Sequence, residues 1–290
     1  MKSISEKAYA KINISLDVLG LLPNGYHEMA MVMQSVSLCD DVEIHLTEGG
    51  VIRCFSDAAF LPNDEGNIAV RAAKKFFAEA KLENVGAEIH LTKRIPVCAG
   101  LGGGSSDGAA VLRGLNRLFD GRFSRPELEA MAASVGSDIP FCVAGGTQLA
   151  TGTGTSLEDI APLPGCAIVI CKPPFSIRTP ELFGKIDSRR SRLRPDTPGI
   201  LAALGSGDLG GVARRMFNVF EDVLPRSAAD IARLKGELLS LGALGSVMSG
   251  TGSALFGIFD DADRAEKACA ALRELCPEVF LCTPVAKLEV

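Results

Sequence analysis

The sequence predicts an α+β protein of two lobes, and three observations support this prediction. The chain has 290 residues, which is more than one minimal domain needs. Hydrophobic residues make up 47% of it and charged residues 22%, as in a globular protein with a substantial core. Strand and helix patterns interleave in both halves, with hairpin-like strands near the start, which favours α+β layers over a doubly wound sheet.

The first element is a strand. Residues 8–18 alternate between apolar and polar side chains, so that Lys11 and Asn13 share the polar face. The alternation predicts a strand that is buried on one face and solvated on the other. Taken alone, a lysine on such a face is read as a solvated surface residue.

The remaining elements follow from periodicity and cap residues. A capping box, Ser124 to Glu127, opens a helix that ends near Gly136. In chain order the sequence predicts a strand over 42–46, a helix over 68–80, a strand over 87–91, a helix over 124–136, a strand over 167–171, helices over 198–204, 209–223 and 227–241, strands over 244–248 and 254–259, a helix over 262–275 and a strand over 278–284. Gly and Thr are dense over 145–154, which places the junction there and gives domains of 1–153 and 154–290.

The strongest functional signal is a glycine-rich loop that runs into a helix. Its residues are Pro96, Val97, Cys98, Ala99, Gly100, Leu101, Gly102, Gly103, Gly104, Ser105, Ser106 and Asp107. The first N–H groups of a helix lack partners and the helix dipole is positive there, so a loop without Cβ atoms can bind a phosphate closely. It is not a Walker A loop, and Ser105 stands where a G-x-G-x-x-G loop has its third glycine. A flexible turn is the alternative, but four glycines directly before a helix do not favour it.

Three segments together resemble the GHMP kinases. They are Tyr9-Ala10-Lys11-Ile12-Asn13, the glycine loop, and a second glycine loop, Ser249-Gly250-Thr251-Gly252-Ser253. Their order and spacing match the family, and they span nearly the whole chain. The resemblance implies a two-domain fold, with an N-terminal lobe like domain 2 of ribosomal protein S5 and a ferredoxin-like α/β C-terminal lobe. ATP is expected at the first glycine loop, and the substrate in the cleft between the lobes.

The resemblance also implies which residues act. Asp138, in Gly136-Ser137-Asp138-Ile139-Pro140, would accept the proton of a substrate hydroxyl, and Lys11 would stabilise the attacking oxygen. Mg²⁺ is expected to enter with ATP, and Ser105 or Ser106 could offer it a hydroxyl; no other metal ligand is predicted. Taken alone, Asp138 could equally cap a helix. A mechanism by positioning, without a strong base, also stays open.

Two residues outside the loop are candidates for nucleotide contacts. Asn67 matches the position that is expected to meet adenine in the family. Asparagine at a helix start is also a good cap, and the sequence does not choose between these roles. Lys93, just before the glycine loop, could assist either nucleotide.

A further segment resembles the branch of the family whose small-molecule substrate carries a cytidine diphosphate group. In Asn24-Gly25-Tyr26-His27, Tyr26 is expected to stack on the cytosine and His27 to hydrogen-bond to its edge. Phe183 would cover the other face of the ring, unless it only packs in the core. Asn13 and Thr179 are further substrate-binding candidates. One departure from the family is Thr155, where an acidic residue is common, which puts one contact near the junction in doubt.

Composition and charge disfavour several other classes of protein. The net charge is −5 and there is no Trp, so a nucleic-acid partner, such as an S5-like RNA-binding module would have, is not expected. The chain has no long apolar run and its first residues lack a secretory signal, so we expect no membrane span and a cytoplasmic protein. The nine cysteines form no C-x-x-C pair, which predicts reduced thiols.

Two rival functions stay open at this stage. One is a GHMP kinase for homoserine, mevalonate or a sugar, which Tyr26 and His27 disfavour. The other is a non-catalytic nucleotide-binding regulator, which the joint presence of Lys11 and Asp138 disfavours. The sequence does not decide between a monomer and a homodimer.

Overall fold

The computed structural model describes residues 2–188, 193–225 and 228–290. The strands are β1 Ser3–Leu21, β2 His27–Glu48, β3 Ile52–Ser56, β4 Val85–Thr92, β5 Thr147–Gly152, β6 Ser156–Asp159, β7 Ala167–Lys172, β8 Phe217–Asn218, β9 Gly245–Met248, β10 Leu255–Phe259 and β11 Glu278–Cys282. The helices are α1 Ile68–Glu79, α2 Gly103–Leu118, α3 Arg125–Val135, α4 Ile139–Ala144, α5 Thr179–Ser188, α6 Thr197–Gly205, α7 Leu209–Ala213, α8 Ala229–Ser240 and α9 Ala262–Leu272, with a 3-10 helix over Val219–Val223. Strands and helices alternate in both halves, which confirms the predicted α+β class.

The first lobe is built on a seven-stranded mixed sheet. Its strand order is β3-β4-β2-β1-β8, and β5 joins β2 and carries β6. The register of β1 on β2 shifts between Tyr9 and Lys11, an irregularity of the kind that re-aims a side chain. The predicted first strand is confirmed, but its polar face is not solvated. Lys11 and Asn13 are both buried, because the two glycine loops cover them.

Helices α1 and α2 pack on this sheet and complete the core of the first lobe. Gly114 allows α2 to lie close to the sheet, since a Cβ there would be 2.7 Å from Cδ1 of Ile44. The predicted capping box is present at α3, where the Glu127 carboxylate accepts a hydrogen bond from the Ser124 N–H at 2.8 Å. Helix α2, which follows the glycine loop, is held in position by its buried face and by its close approach to the sheet at Gly114.

The second lobe is built on a four-stranded antiparallel sheet in the order β11-β7-β10-β9. Helices α8 and α9 pack on this sheet and on each other. The predicted strands over 167–171, 244–248 and 254–259 are confirmed to within one residue at each end. An antiparallel sheet with helices packed on it is the ferredoxin-like arrangement that the family resemblance implies.

The helix predicted over 209–223 is wrong. Its first residues form α7, which ends at Ala213, and the chain then adds the short strand β8 to the first sheet, parallel to β1. The pairing of β8 with β1 and the 3-10 helix after it replace the rest. Ser227, where the next predicted helix begins, lies outside the described residues.

The strands on either side of residue 153 bear on where the two lobes meet. β5 and β6 form an antiparallel hairpin of the first sheet, so a division after residue 153 would cut this hairpin. The last residues of the chain return to the first lobe, where the Leu288 N–H donates to the carbonyl of Ala144 at 2.7 Å. We therefore propose a junction between Asp159 and Ala167, with residues 283–288 as part of the first lobe.

None of the described helices is both long and apolar enough to cross a membrane. All nine cysteines lie in the described residues, where none is in a disulfide. Cys98 is the exposed one, and it lies in the first glycine loop.

Candidate active site

Lys11 and Asp138 meet at the floor of the cleft between the lobes. Lys11 comes from β1, and Asp138 stands at the N-cap position of α4. The Lys11 Nζ atom lies 3.6 Å from Asp138 Oδ2, and it also donates a hydrogen bond to Asn13 Oδ1 at 2.8 Å. The Asp138 side chain makes no capping hydrogen bond and is 34% exposed, whereas Lys11 is 5% exposed. The cap does not use this carboxylate, which stays accessible beside a buried cation.

The two glycine loops hold Lys11 between them. A Cβ on Gly102 would lie 2.9 Å from Lys11 Cγ, and one on Gly250 would lie 3.3 Å from Lys11 Nζ. A Cβ on Gly100 would lie 2.1 Å from the carbonyl oxygen of Ser249, so the loops themselves touch. All three glycines have positive φ angles, which other residues rarely adopt. Glycine is thus required here both by space and by backbone conformation.

Ser249 ties the loops to β1. Its hydroxyl donates to the carbonyl of Gly100 at 2.9 Å and accepts from the N–H of Asn13 at 3.3 Å. The N–H of Lys11 donates to the carbonyl of Leu101 at 2.9 Å. The strand that carries the lysine and the loop that is expected to bind phosphate are therefore one hydrogen-bonded unit.

The first glycine loop opens α2 as predicted. Gly102 caps the helix in the left-handed conformation without a side-chain cap, so the first N–H groups of α2 are available to an anion. Val97, Cys98, Gly104 and, in part, Gly100, Gly102, Gly103 and Ser105 are accessible, whereas Pro96, Ala99 and Leu101 are buried. The Ser106 hydroxyl donates to the carbonyl of Tyr9 at 2.6 Å and is buried. Of the two serines proposed for Mg²⁺ or phosphate, only Ser105 is placed to reach either.

Lys93 does not extend into the cleft. Its ammonium is paired with the carboxylates of Asp40 and Asp107, and all three side chains are buried. Burial raises the pKa of Asp107 to about 7, against the charge of Lys93. Burial alone would lower the pKa of Lys93, but the two carboxylates raise it on balance. The two carboxylates neutralise the charge of Lys93 beneath the loop, and its assistance to a nucleotide stays a prediction.

Asn67 acts as a helix cap. Its Oδ1 accepts from the N–H of Ala69 at 2.9 Å, and its Nδ2 donates to the carbonyl of Pro62 at 2.9 Å. The side chain is buried. Of the two roles that the sequence left open, the structure shows the cap, and these contacts occupy the amide within the protein.

The other end of the cleft gathers aromatic residues from both lobes. Tyr26 is 66% exposed in the turn between β1 and β2. The ring centroids of His27 and Phe183 are 4.5 Å apart, and Phe183 also packs edge-on against Phe220 in the core. Phe183 packs against the core and also lines the cleft, so its contact with a cytosine stays a prediction. Thr179 lies next to the second glycine loop, with its hydroxyl 2.9 Å from that of Thr251.

One cavity of about 830 Å³ joins the two ends. Its lining includes Lys11, Asp138, Gly100, Gly102, Gly250, Thr251, Tyr26, His27, Phe183, Thr179 and Arg178. A volume of this size is typical of sites for small molecules. Asn13 does not line it, because its side chain is fully buried behind Lys11, where Nδ2 lies 3.5 Å from the sulfur of Met31.

Within residues 2–188, 193–225 and 228–290, no group of three His, Cys, Asp or Glu side chains could hold a metal ion. A Mg²⁺ ion at this site would therefore take most of its ligands from ATP oxygens and water, and the hydroxyl of Ser105 is the nearby protein oxygen that could bind it.

The chain is similar to known proteins over nearly its whole length. The model of the GHMP kinases N terminal domain matches residues 67–146, and that of the GHMP kinases C terminal matches residues 200–278. The 4-diphosphocytidyl-2-C-methyl-D-erythritol kinase of Acetivibrio thermocellus is 42% identical over 97% of this chain and 99% of its own length. The chain belongs to this family of GHMP kinases. The predicted fold and the predicted phosphotransferase activity are thereby confirmed.

A second relative and two solved structures are also similar to this chain. The kinase of the same name from Exiguobacterium sibiricum is 39% identical over 96% of this chain and 97% of its own length. A crystal structure of 4-(cytidine 5'-diphospho)-2C-methyl-D-erythritol kinase superposes with a TM-score of 0.82, at 32% identity over 97% of this chain and 99% of that one. A homoserine kinase from Cytophaga hutchinsonii, at 20% identity and a TM-score of 0.77 over 99% of this chain and 96% of that one, shares the fold alone.

Sequence reasoning missed two residues that shape the site of this GHMP kinase. Asn218 donates from Nδ2 to the carbonyls of Met248 and Gly250, at 2.8 and 2.7 Å, and so holds the second glycine loop. It lay inside the wrongly predicted helix, which concealed it. Asp187 lies 2.8 Å from His27 across the cleft. No local pattern marks it, because it looks like any polar residue of a surface helix.

Proposed function

We propose that this chain transfers the γ-phosphate of ATP to the 2-hydroxyl of 4-diphosphocytidyl-2-C-methyl-D-erythritol, in the non-mevalonate route to isoprenoid precursors. The observation that carries the proposal is the single cavity with Lys11 and Asp138 at one end and Tyr26, His27 and Phe183 at the other. A cavity lined by the catalytic pair and by these aromatic side chains suits a substrate that has a base at one end and an alcohol at the other. The names of the relatives supply the substrate.

The phosphate end of the cavity supports in-line transfer. The open N–H groups at the start of α2 would hold the phosphates of ATP. A Mg²⁺ ion bound to the phosphates would neutralise part of the phosphate charge. Asp138 is accessible and would accept the proton of the attacking hydroxyl. Lys11, 3.6 Å from that carboxylate, would stabilise the oxygen as it attacks. A cytoplasmic setting, with ATP and Mg²⁺ at hand, is part of the proposal.

The base end supports recognition of a pyrimidine. Tyr26 and Phe183 offer aromatic faces, and stacking on such a face is worth roughly 1–3 kcal/mol per base. His27 offers a ring nitrogen to the base edge. Homoserine and mevalonate have no base, so an enzyme for either would leave these aromatic residues without a partner.

The proposal is tested by a coupled assay of ADP release with a panel of alcohols: the cytidine compound, its uridine analogue, homoserine, mevalonate and galactose. We expect turnover with the cytidine compound at a kcat/KM at least about 100-fold above that with any alcohol lacking a base, because stacking and base-edge contacts add to binding. The Asp138→Asn variant gives the background rate of ATP hydrolysis. Preferential turnover of homoserine, mevalonate or galactose would refute the proposal.

A further inference from the structure

The side chain of His27 is held by a carboxylate from the other lobe. Its Nε2 atom lies 2.8 Å from Oδ1 of Asp187, which is in the last turn of α5. The histidine side chain is 13% exposed and Asp187 is 45% exposed. Among the described residues, Asp187 is the hydrogen-bond partner of this imidazole. The contact joins two segments that are 160 residues apart along the chain.

Helix α5 fixes both the plane and the edge of the imidazole. Phe183 and Asp187 are four residues apart, so they lie on the same face of this helix. Phe183 packs against the ring with the two planes inclined by 32°, while Asp187 contacts one ring nitrogen. The position of Phe183 is set in turn by its edge-on contact with Phe220. The ring is thus oriented by groups that are themselves anchored.

The carboxylate determines which ring nitrogen carries the proton. An ionised aspartate can only accept hydrogen bonds, so the Nε2 atom must donate to it. In the neutral imidazole the proton is then on Nε2, and Nδ1 is left as an acceptor. His27 lines the cavity beside Tyr26, so a ligand bound there would lie next to this imidazole.

We infer that Asp187 is a positioning residue that makes the cavity select cytidine over uridine through His27, an inference that rests on the proposed function. The edge of cytosine presents an amino group, which donates to an acceptor, whereas the same position of uracil is a carbonyl oxygen. An unprotonated Nδ1 bonds to the first and repels the second. If the proton moved to Nδ1, this preference would be lost or reversed.

The test uses three variants and two ligands that need no turnover. Binding of cytidine diphosphate and of uridine diphosphate is measured by calorimetry at about pH 8.5. Asp187→Asn keeps the size of the side chain but removes its charge and replaces one acceptor oxygen by an NH2 group, whereas Asp187→Glu keeps the charge and both acceptor oxygens. Glu181→Gln, an exposed change on the same helix, is the matched control. Turnover of the cytidine substrate and its uridine analogue is measured in parallel.

We expect the wild type to bind cytidine diphosphate at least about tenfold more tightly than uridine diphosphate, since a hydrogen-bonded edge discriminates strongly. Asp187→Asn should reduce this ratio to about two or less, Asp187→Glu should restore part of it, and Glu181→Gln should not change it. The KM for the cytidine substrate should rise in Asp187→Asn, while kcat and the KM for ATP stay within about twofold, because the carboxylate acts through base binding alone. The chain has three histidines, so ¹⁵N spectra can report the tautomer of His27 directly, with His45 and His90 as internal references.

The outcomes separate this inference from the proposed function. An unchanged binding ratio or an unchanged His27 tautomer in Asp187→Asn overturns the role of Asp187. Equal binding of the two diphosphates by the wild type overturns it as well. If the wild type fails to phosphorylate the cytidine substrate but its binding ratio depends on Asp187, the proposed function fails and the assignment of Asp187 stands.

Discussion

At the phosphate end of the cleft, Lys11 is buried and is held by β1 and both glycine loops, whereas at the base end Tyr26 is two-thirds exposed in a short turn. The groups expected to do chemistry are fixed before any ligand arrives, through backbone hydrogen bonds and glycine contacts. At the base end, His27 is held by side-chain contacts with Phe183 and Asp187 from the other lobe. Rigid placement favours a transition state, while an open end admits and releases a substrate.

The largest effect is expected from a change at the rigid end. Asp138→Asn keeps the shape of the side chain but removes the base, so kcat should fall about 10²–10⁴-fold. The affinity for an ATP analogue should change little, because Asp138 lies outside the phosphate loop. Steady-state kinetics and calorimetry would measure the two effects, with Asp263→Asn on the surface of α9 as the control. Near-wild-type turnover would favour the mechanism by positioning alone.

The contact between the glycine loops can be broken with a single methyl group. Gly100→Ala would place a Cβ 2.1 Å from the Ser249 carbonyl in a residue with φ of +79°, so the loops must separate. We expect kcat/KM to fall about tenfold or more for both substrates, together with a lower Tm. Gly121→Ala is the matched control, because it has φ of +70° but nothing within 4 Å of the new Cβ.

Strain at a positive φ costs about 1–2 kcal/mol in either glycine variant, so both should lose stability. Only Gly100→Ala should also lose activity, because only its new Cβ atom meets the second glycine loop. Equal activity of the two variants would show that the contact between the loops has no part in the function.

A smaller and more selective effect is expected at the open end. Tyr26→Ala should raise the KM for the cytidine substrate by roughly tenfold, because it removes a stacking contact of about 1–3 kcal/mol. The KM for ATP should stay the same. Phe55→Ala, which removes another exposed aromatic side chain, serves as the control. A parallel rise of both KM values would mean that the two ends of the cleft are not independent.

The smallest effect on activity is expected at Asn67. Asn67→Ala removes the cap of α1 and should lower the free energy of unfolding by about 1 kcal/mol, as cap removals usually do. The KM for ATP should not change if the side chain acts only as a cap. Asp261→Ala removes the cap of α9 far from the cleft and gives the matched loss of stability. A selective rise in the KM for ATP in Asn67→Ala would instead support a contact between Asn67 and adenine.

Much of the fold was readable from local patterns. Alternation predicted β1, the Ser124 capping box predicted α3, and the run of glycines predicted the loop that opens α2. These features depend on neighbours within a few residues, so the sequence alone contains them. The segment 209–223 failed because its apolar spacing suits a helix, while the pairing of β8 with β1 overrides that preference.

Local patterns were enough to predict the strand of Lys11, the two glycine loops and the cap-forming residues, because backbone sterics and hydrogen bonding act over short distances along the chain. Only the packing of distant segments brings Lys11 to Asp138, pairs Lys93 with Asp40 and Asp107, and places Asp187 against His27. Each of these contacts joins separate elements of the fold. The physical reason is that a charged side chain takes the partner that packing brings within reach, and its own sequence neighbourhood does not record which partner that is.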